Sequence, residues 1–121
     1  MVIDDEEMVR ESLRITLETA GYEVTDAENG NVGILLHQQK QFQLIITDLI
    51  MPGKEGIETI IELKRDYPGI KIIAISGGGR TAFSDYLNIA SELGVTATLQ
   101  KPFQEDDLTT CVRDCLSGLA A

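Results

Sequence analysis

Leu44-Ile45-Ile46-Thr47-Asp48 decides the fold: four residues with almost no polar interruption, closed by an acid. A β-branched run without alternation is the mark of a strand covered on both faces, and such strands belong to parallel sheets flanked by helices. The same texture returns at Lys71 to Ile75, so these two strands are expected at the centre. Outward from them, Met1 to Ile3, Glu23 to Ala27 and Thr96 to Gln100 read as three further strands. Between the strands lie stretches of helical period. Val9, Leu13, Leu17 and Ala20 form one stripe that stops at Gly21, a second helix falls near Asn31 to Gln39, and Ile57, Ile60 and Ile61 begin a third. Phe83, Tyr86, Leu87, Ala90 and Leu93 precede Gly94, and Leu108, Cys111, Val112, Cys115 and Leu119 form the fifth stripe, opened by Pro102 and a cluster of acids. Five βα units with right-handed crossovers predict an α/β, flavodoxin-like doubly wound fold whose parallel strands lie in the order 2-1-3-4-5.

The chain of 121 residues is one domain, 1–121, with no internal linker or repeat. Only three residues precede the first acids, which suggests a first strand trimmed at its amino end. Twenty acidic against ten basic residues give a formal charge of −10, which repels a nucleic-acid backbone, and no basic stripe offsets it. No apolar run approaches the roughly 20 residues that cross a bilayer, and no signal-peptide pattern opens the chain, so a cytoplasmic location is expected. Cys111 and Cys115 read as buried thiols on an apolar stripe. They do not read as a metal pair, because the single histidine, His37, is far away in sequence.

In such a sheet, functional groups collect beyond the carboxyl ends of the strands. Those ends carry Asp4 and Asp5, Asp48, Ser76 and Lys101. Carboxylates about 4 Å apart repel by about 4 kcal/mol at an effective dielectric of about 20, so a positive partner is required. Lys101 supplies one charge. A hard divalent cation that takes oxygen ligands and keeps waters, Mg²⁺, is the better complement. A carboxylate nucleophile beside a cation, an ammonium and a hydroxyl suits phosphoryl transfer. Taken singly, Asp4, Asp5 and Glu6 also suit a helix cap, Ser76 a turn and Lys101 a solvated surface; their joint placement carries the reading. Gly77, Gly78 and Gly79 lack the Gly-Lys-Ser/Thr ending of a phosphate-binding loop, since Arg80 follows.

Val2-Ile3-Asp4-Asp5-Glu6, Leu44 to Gly53 with Met51-Pro52, Ile75-Ser76-Gly77 and Lys101-Pro102-Phe103, in this order, resemble the receiver (CheY-like) domain of two-component response regulators. The resemblance implies that Asp48 accepts a phosphoryl group from a histidine kinase or phosphotransfer protein. It implies Mg²⁺ held by Asp4, Asp5, Asp48 and the carbonyl of Ile50, with Ser76 and Lys101 contacting the phosphoryl group, and a cis peptide before Pro102. The protein would then be a signalling module, not an enzyme beyond its own phosphorylation and dephosphorylation. Its downstream protein partner would bind the face of the fourth helix, fifth strand and fifth helix. Two departures stand out. Thr98 occupies the usual aromatic switch position, which leaves loop closure through Ser76 and the glycines as the signal; Ile50 offers nothing to orient an attacking water, which predicts a long-lived acyl phosphate. The chain is read as stand-alone, with a receiver cut from a larger hybrid kinase or regulator, or an unphosphorylated docking module, as alternatives. A phosphatase of the haloacid dehalogenase type would want a second aspartate at position 50, and Ile50 argues against it.

Overall fold

A computed structural model describes residues 1–49, 56–76 and 91–118. Five parallel strands, β1 (Val2–Ile3), β2 (Asp26–Ala27), β3 (Leu44–Asp48), β4 (Lys71–Ser76) and β5 (Ala97–Gln100), form one sheet in the order β2-β1-β3-β4-β5. Four helices accompany them among the described residues: α1 (Glu7–Thr19), α2 (Gly30–Gln39), α3 (Gly56–Asp66) and α4 (Glu105–Ser117), the last being the fifth helix counted in the sequence. The doubly wound α/β fold with strand order 2-1-3-4-5 is thus observed.

Residue parity along the two central strands divides the core. Ile45 of β3 and Ile72 and Ala74 of β4 pack with Ile34, Ile60 and Leu63 of α2 and α3. Leu44 and Ile46, with Ile73 and Ile75, pack on the other side against Leu13, Leu17, Leu108, Val112 and Cys115 of α1 and α4. Every residue of β3 is buried, as expected of a strand covered on both faces.

Several boundaries differ from the sequence reading. The second strand holds Asp26 and Ala27 where Glu23 to Ala27 were expected, because its one strand neighbour, β1, offers two residues to pair with. The first strand is Val2–Ile3, the fifth begins at Ala97, and Asp48 and Ser76 lie inside their strands. Pro102 does not open the last helix. Gln104 caps α4 through reciprocal bonds with Asp107, so the helix starts at Glu105. Ala20 and Ile61 leave their stripes: Ala20 caps the end of α1 and is exposed, and Ile61 is 48 % exposed. Cys115 is fully buried but Cys111 only half so. Burial, with its partner thiol, pushes the Cys111 thiol up to about 12. Phe83, Tyr86, Leu87, Ala90 and Leu119, like Ile50 and Gly77–Gly79, lie outside the described residues. No described helix is long and apolar enough to cross a membrane.

Candidate functional site

At the carboxyl edge, β1 ends on Ile3 and the chain turns at once into α1. Asp4 stands in that turn. Its amide donates to the Ala27 carbonyl at 3.2 Å, its carbonyl accepts from the Arg10 guanidinium at 2.8 Å, and its Oδ1 accepts from the Glu6 amide at 2.9 Å. This last bond gives the capping reading partial substance: Asp4 binds the backbone at the helix entry, while Glu6, at the cap position itself, makes no side-chain cap bond. Asp4 Oδ2 remains. It is buried, makes no hydrogen bond, and has the Lys101 ammonium 3.9 Å away. A buried carboxylate oxygen without a donor is costly, so its retention points to a cation ligand.

Asp48 closes β3 at 7 % exposure, and its Oδ2 accepts a hydrogen bond from Lys101 Nζ at 3.0 Å. Lys101 follows β5 directly, its amide donating to the Ser76 carbonyl at 2.9 Å, which ties the ends of β4 and β5 together. The Lys101–Pro102 peptide is cis. Ser76 is fully buried at the end of β4, in register with Gln100. Asp5 is exposed on the turn beside Asp4, and among the described residues no three His, Cys, Asp or Glu side chains form a ready metal cluster. The structure therefore brings Asp4, Asp48 and Lys101 together, sets Ser76 at the adjoining strand end, and leaves Asp5 at the rim.

The electrostatics follow from this placement. Burial is the main force that raises the Asp4 pKa; the Glu6 amide opposes it, the Asp48 charge adds to it, Lys101 draws it back and Asp5 adds a little. Burial works against the Lys101 ammonium, yet the hydrogen bond and charge of Asp48, with Asp4 and Glu6, outweigh it and raise its pKa. Two carboxylates sharing one ammonium retain a net negative charge. Mg²⁺ needs only one or two carboxylates beside its waters, so the oxygen donors and the unsatisfied Asp4 Oδ2 fit that ion.

Two residues that the sequence reading passed over help to build the site. Gly56, the first residue of α3, lies so close to β3 that a Cβ there would collide with the Asp48 carbonyl oxygen and lie 2.7 Å from Leu49 Cα; its amide donates to the Leu49 carbonyl at 3.1 Å. Only glycine lets the helix start that close to the strand. The available signal was a second glycine, four residues after Pro52, opening an apolar stripe. Arg10 joins α1 to β1 and β2, bonding Asp26 Oδ2 through Nε at 3.2 Å as well as the Asp4 carbonyl. Its signal was a basic residue three and seven positions before Leu13 and Leu17, on the inward side of the helix.

A family model described as the response regulator receiver domain matches residues 1–113. The chemotaxis protein CheY of Halobacterium salinarum is 30% identical over 119 residues, covering 98% of this chain and 96% of that protein. The transcriptional regulatory protein FixJ of Bradyrhizobium diazoefficiens is 30% identical over 95% of this chain, and ResD of Bacillus subtilis 32% over 96%. The chain spans only 55% of FixJ and 47% of ResD, about half the length of these relatives. Among solved structures, a response regulator receiver domain protein from Clostridium thermocellum superposes with a TM-score of 0.89 at 27% identity, covering 97% of this chain and 92% of that one. Strand order, the gathering of acids and a lysine at the carboxyl edge and a family match over nearly the whole length agree: the chain belongs to the response regulator receiver domain family of two-component signalling.

Proposed function

We propose that the chain is phosphorylated on Asp48 by a histidine kinase or phosphotransfer protein and signals through a changed protein-binding surface. The observation that carries this reading is the pair of buried carboxylates on one lysine, with Asp4 Oδ2 lacking any hydrogen bond. Receiver domains are signalling modules, not classical enzymes, so the chemistry wanted is a single transfer. A carboxylate oxygen of Asp48 attacks phosphorus, the bond from phosphorus to the donor's histidine nitrogen breaks, and its electron pair leaves with the imidazole. Lys101, already hydrogen-bonded to Asp48, neutralises charge on the transferred group, and Ser76 offers a hydroxyl at the neighbouring strand end. Asp4 and Asp48, with Asp5 from the rim and the Ile50 carbonyl, would hold Mg²⁺. When bound, that ion supplies positive charge to the phosphoryl oxygens.

The downstream partner docks on the face of β5 and the last helix, α4; the fourth helix expected from the sequence belongs to the same proposal and lies outside the described residues. Thr98 and Gln100 of β5 are exposed there. With no ring at Thr98, the signal passes through Ser76 and Lys101 as they are drawn to the phosphoryl group. The same reading sets the chain in the cytoplasm, and a charge of −10 argues against nucleic acid as a direct partner. A receiver of this kind can stand alone, as in the Halobacterium relative, which consists of little beyond the matched region. FixJ shows the same region within a protein about twice as long, the alternative arrangement.

Incubation with acetyl phosphate and Mg²⁺ followed by intact mass tests the reading. The native chain gains one phosphoryl group, Asp48→Asn gains none, and chelation of Mg²⁺ abolishes the gain. Equal labelling of the two proteins, or no labelling of the native one, overturns it.

A further inference from the structure

We infer that Arg10 is a positioning residue for the cation site, orienting Asp4 by clamping its carbonyl to β2; this rests on the function proposed above. Asp4 is tethered at its amide, its carbonyl and Oδ1, and of these tethers only the one at the carbonyl comes from a side chain. That side chain is Arg10, itself 16 % exposed. Its guanidinium reaches across the turn to the carbonyl and is aimed by a second bond, from Nε to Asp26 Oδ2 on the strand paired with β1. A planar fork can hold two acceptors in fixed relation, which a lysine ammonium cannot do. The clamp therefore fixes the Asp4 peptide relative to two strands and sets where Oδ2, the oxygen without a hydrogen bond, points.

A clamp of this kind acts on the ligand through its backbone. Groups that orient metal ligands in this way commonly change metal affinity by about tenfold or more when removed. A helix-to-sheet ion pair that serves only stability would lower the unfolding midpoint and leave the affinity of the folded protein unchanged.

The experiment is titration with Mg²⁺ alone, followed by amide chemical shifts near Asp4 and Asp5, on the native chain, Arg10→Met, Arg10→Lys, Asp26→Asn and the double variant Arg10→Met with Asp26→Asn. Arg10→Met is expected to weaken Mg²⁺ binding about tenfold. Arg10→Lys, keeping charge but not the fork, should weaken it nearly as much, and Asp26→Asn less. The double variant should be no weaker than Arg10→Met alone. If Arg10→Met fails to fold, Arg10→Lys and Asp26→Asn decide the matter in the same titration. Affinities within twofold of native in the folded variants, or full rescue by lysine, overturn the inference. Acetyl phosphate labelling of the native chain, run in parallel, separates the two failures: labelling with unchanged variant affinities sinks only the clamp, whereas absence of labelling sinks the proposed function.

Discussion

Asp4 and His37 are buried equally, each 1 % exposed, at opposite edges of the sheet. His37, near the end of α2, is closed in by its own surroundings: Nδ1 accepts from the Phe42 amide at 3.0 Å, and the Tyr67 ring meets the imidazole edge-on at 4.5 Å. Burial lowers its pKa and the nearby N-terminal charge adds to this, so the neutral ring is what the fold wants. Asp4 is tethered just as firmly but keeps one oxygen without a hydrogen bond. Among the described residues, the amino edge resolves its buried polar groups internally, while the carboxyl edge leaves one to be resolved by something from outside. Among the described residues, two cavities, of about 500 and 580 Å³, lie under the amino ends of the strands, lined in part by Tyr22, Phe42, Tyr67 and Ile70.

Three substitutions press on that contrast. Gly56→Ala should have the largest effect, a loss of about 3 kcal/mol in urea unfolding, because the new methyl meets backbone with no side chain to swing aside. An unchanged midpoint would show that the seam between α3 and Asp48 is pliant. His37→Ala should cost about 2 kcal/mol through the vacated space and the unpaired Phe42 amide. The pH dependence has a definite sign: a histidine whose folded pKa lies below the ordinary 6.5 stabilises fully above that value, and the contribution is lost as pH falls through it. Native protein should weaken as pH falls below the ordinary 6.5, and His37→Ala should flatten that slope. A parallel slope in both proteins would remove His37 from the account.

The smallest effect, and the one of opposite sign, is expected at Asp4. Its raised pKa means that the folded state holds the proton more tightly than the unfolded chain, so its charge costs stability as pH rises above the ordinary 3.8. Asp4→Asn keeps an acceptor for the Glu6 amide and removes the charge. Without metal it should be more stable than native by about 1 kcal/mol at neutral pH, a common trade at functional positions. Added Mg²⁺ should raise the melting temperature of the native protein only. A less stable metal-free Asp4→Asn would mean that the carboxylate is structural after all.

What could be read from residues alone followed a simple division. β3 and β4 were plain because burial on two faces leaves an uninterrupted apolar signature, and the acids and lysine because they stand where those signatures stop. β2 was overdrawn because a strand's length is set by its neighbour, and nothing in Glu23-Val24-Thr25 tells that β1 pairs only two residues. Ile61 was misassigned by one helical step. Arg10 and Gly56 escaped notice for a different reason: each acts on a backbone carbonyl, at Asp4 and Asp48, and a carbonyl has no letter of its own in the sequence.

The parity of β3 has one further consequence. Since Ile45 presses on one helical layer and Ile46 on the other, any sliding of Asp48 along its own strand is registered on both sides of the sheet at once. The strand then works as a pushrod between two bearings, and an event at its tip need not choose which flank of the molecule will hear of it.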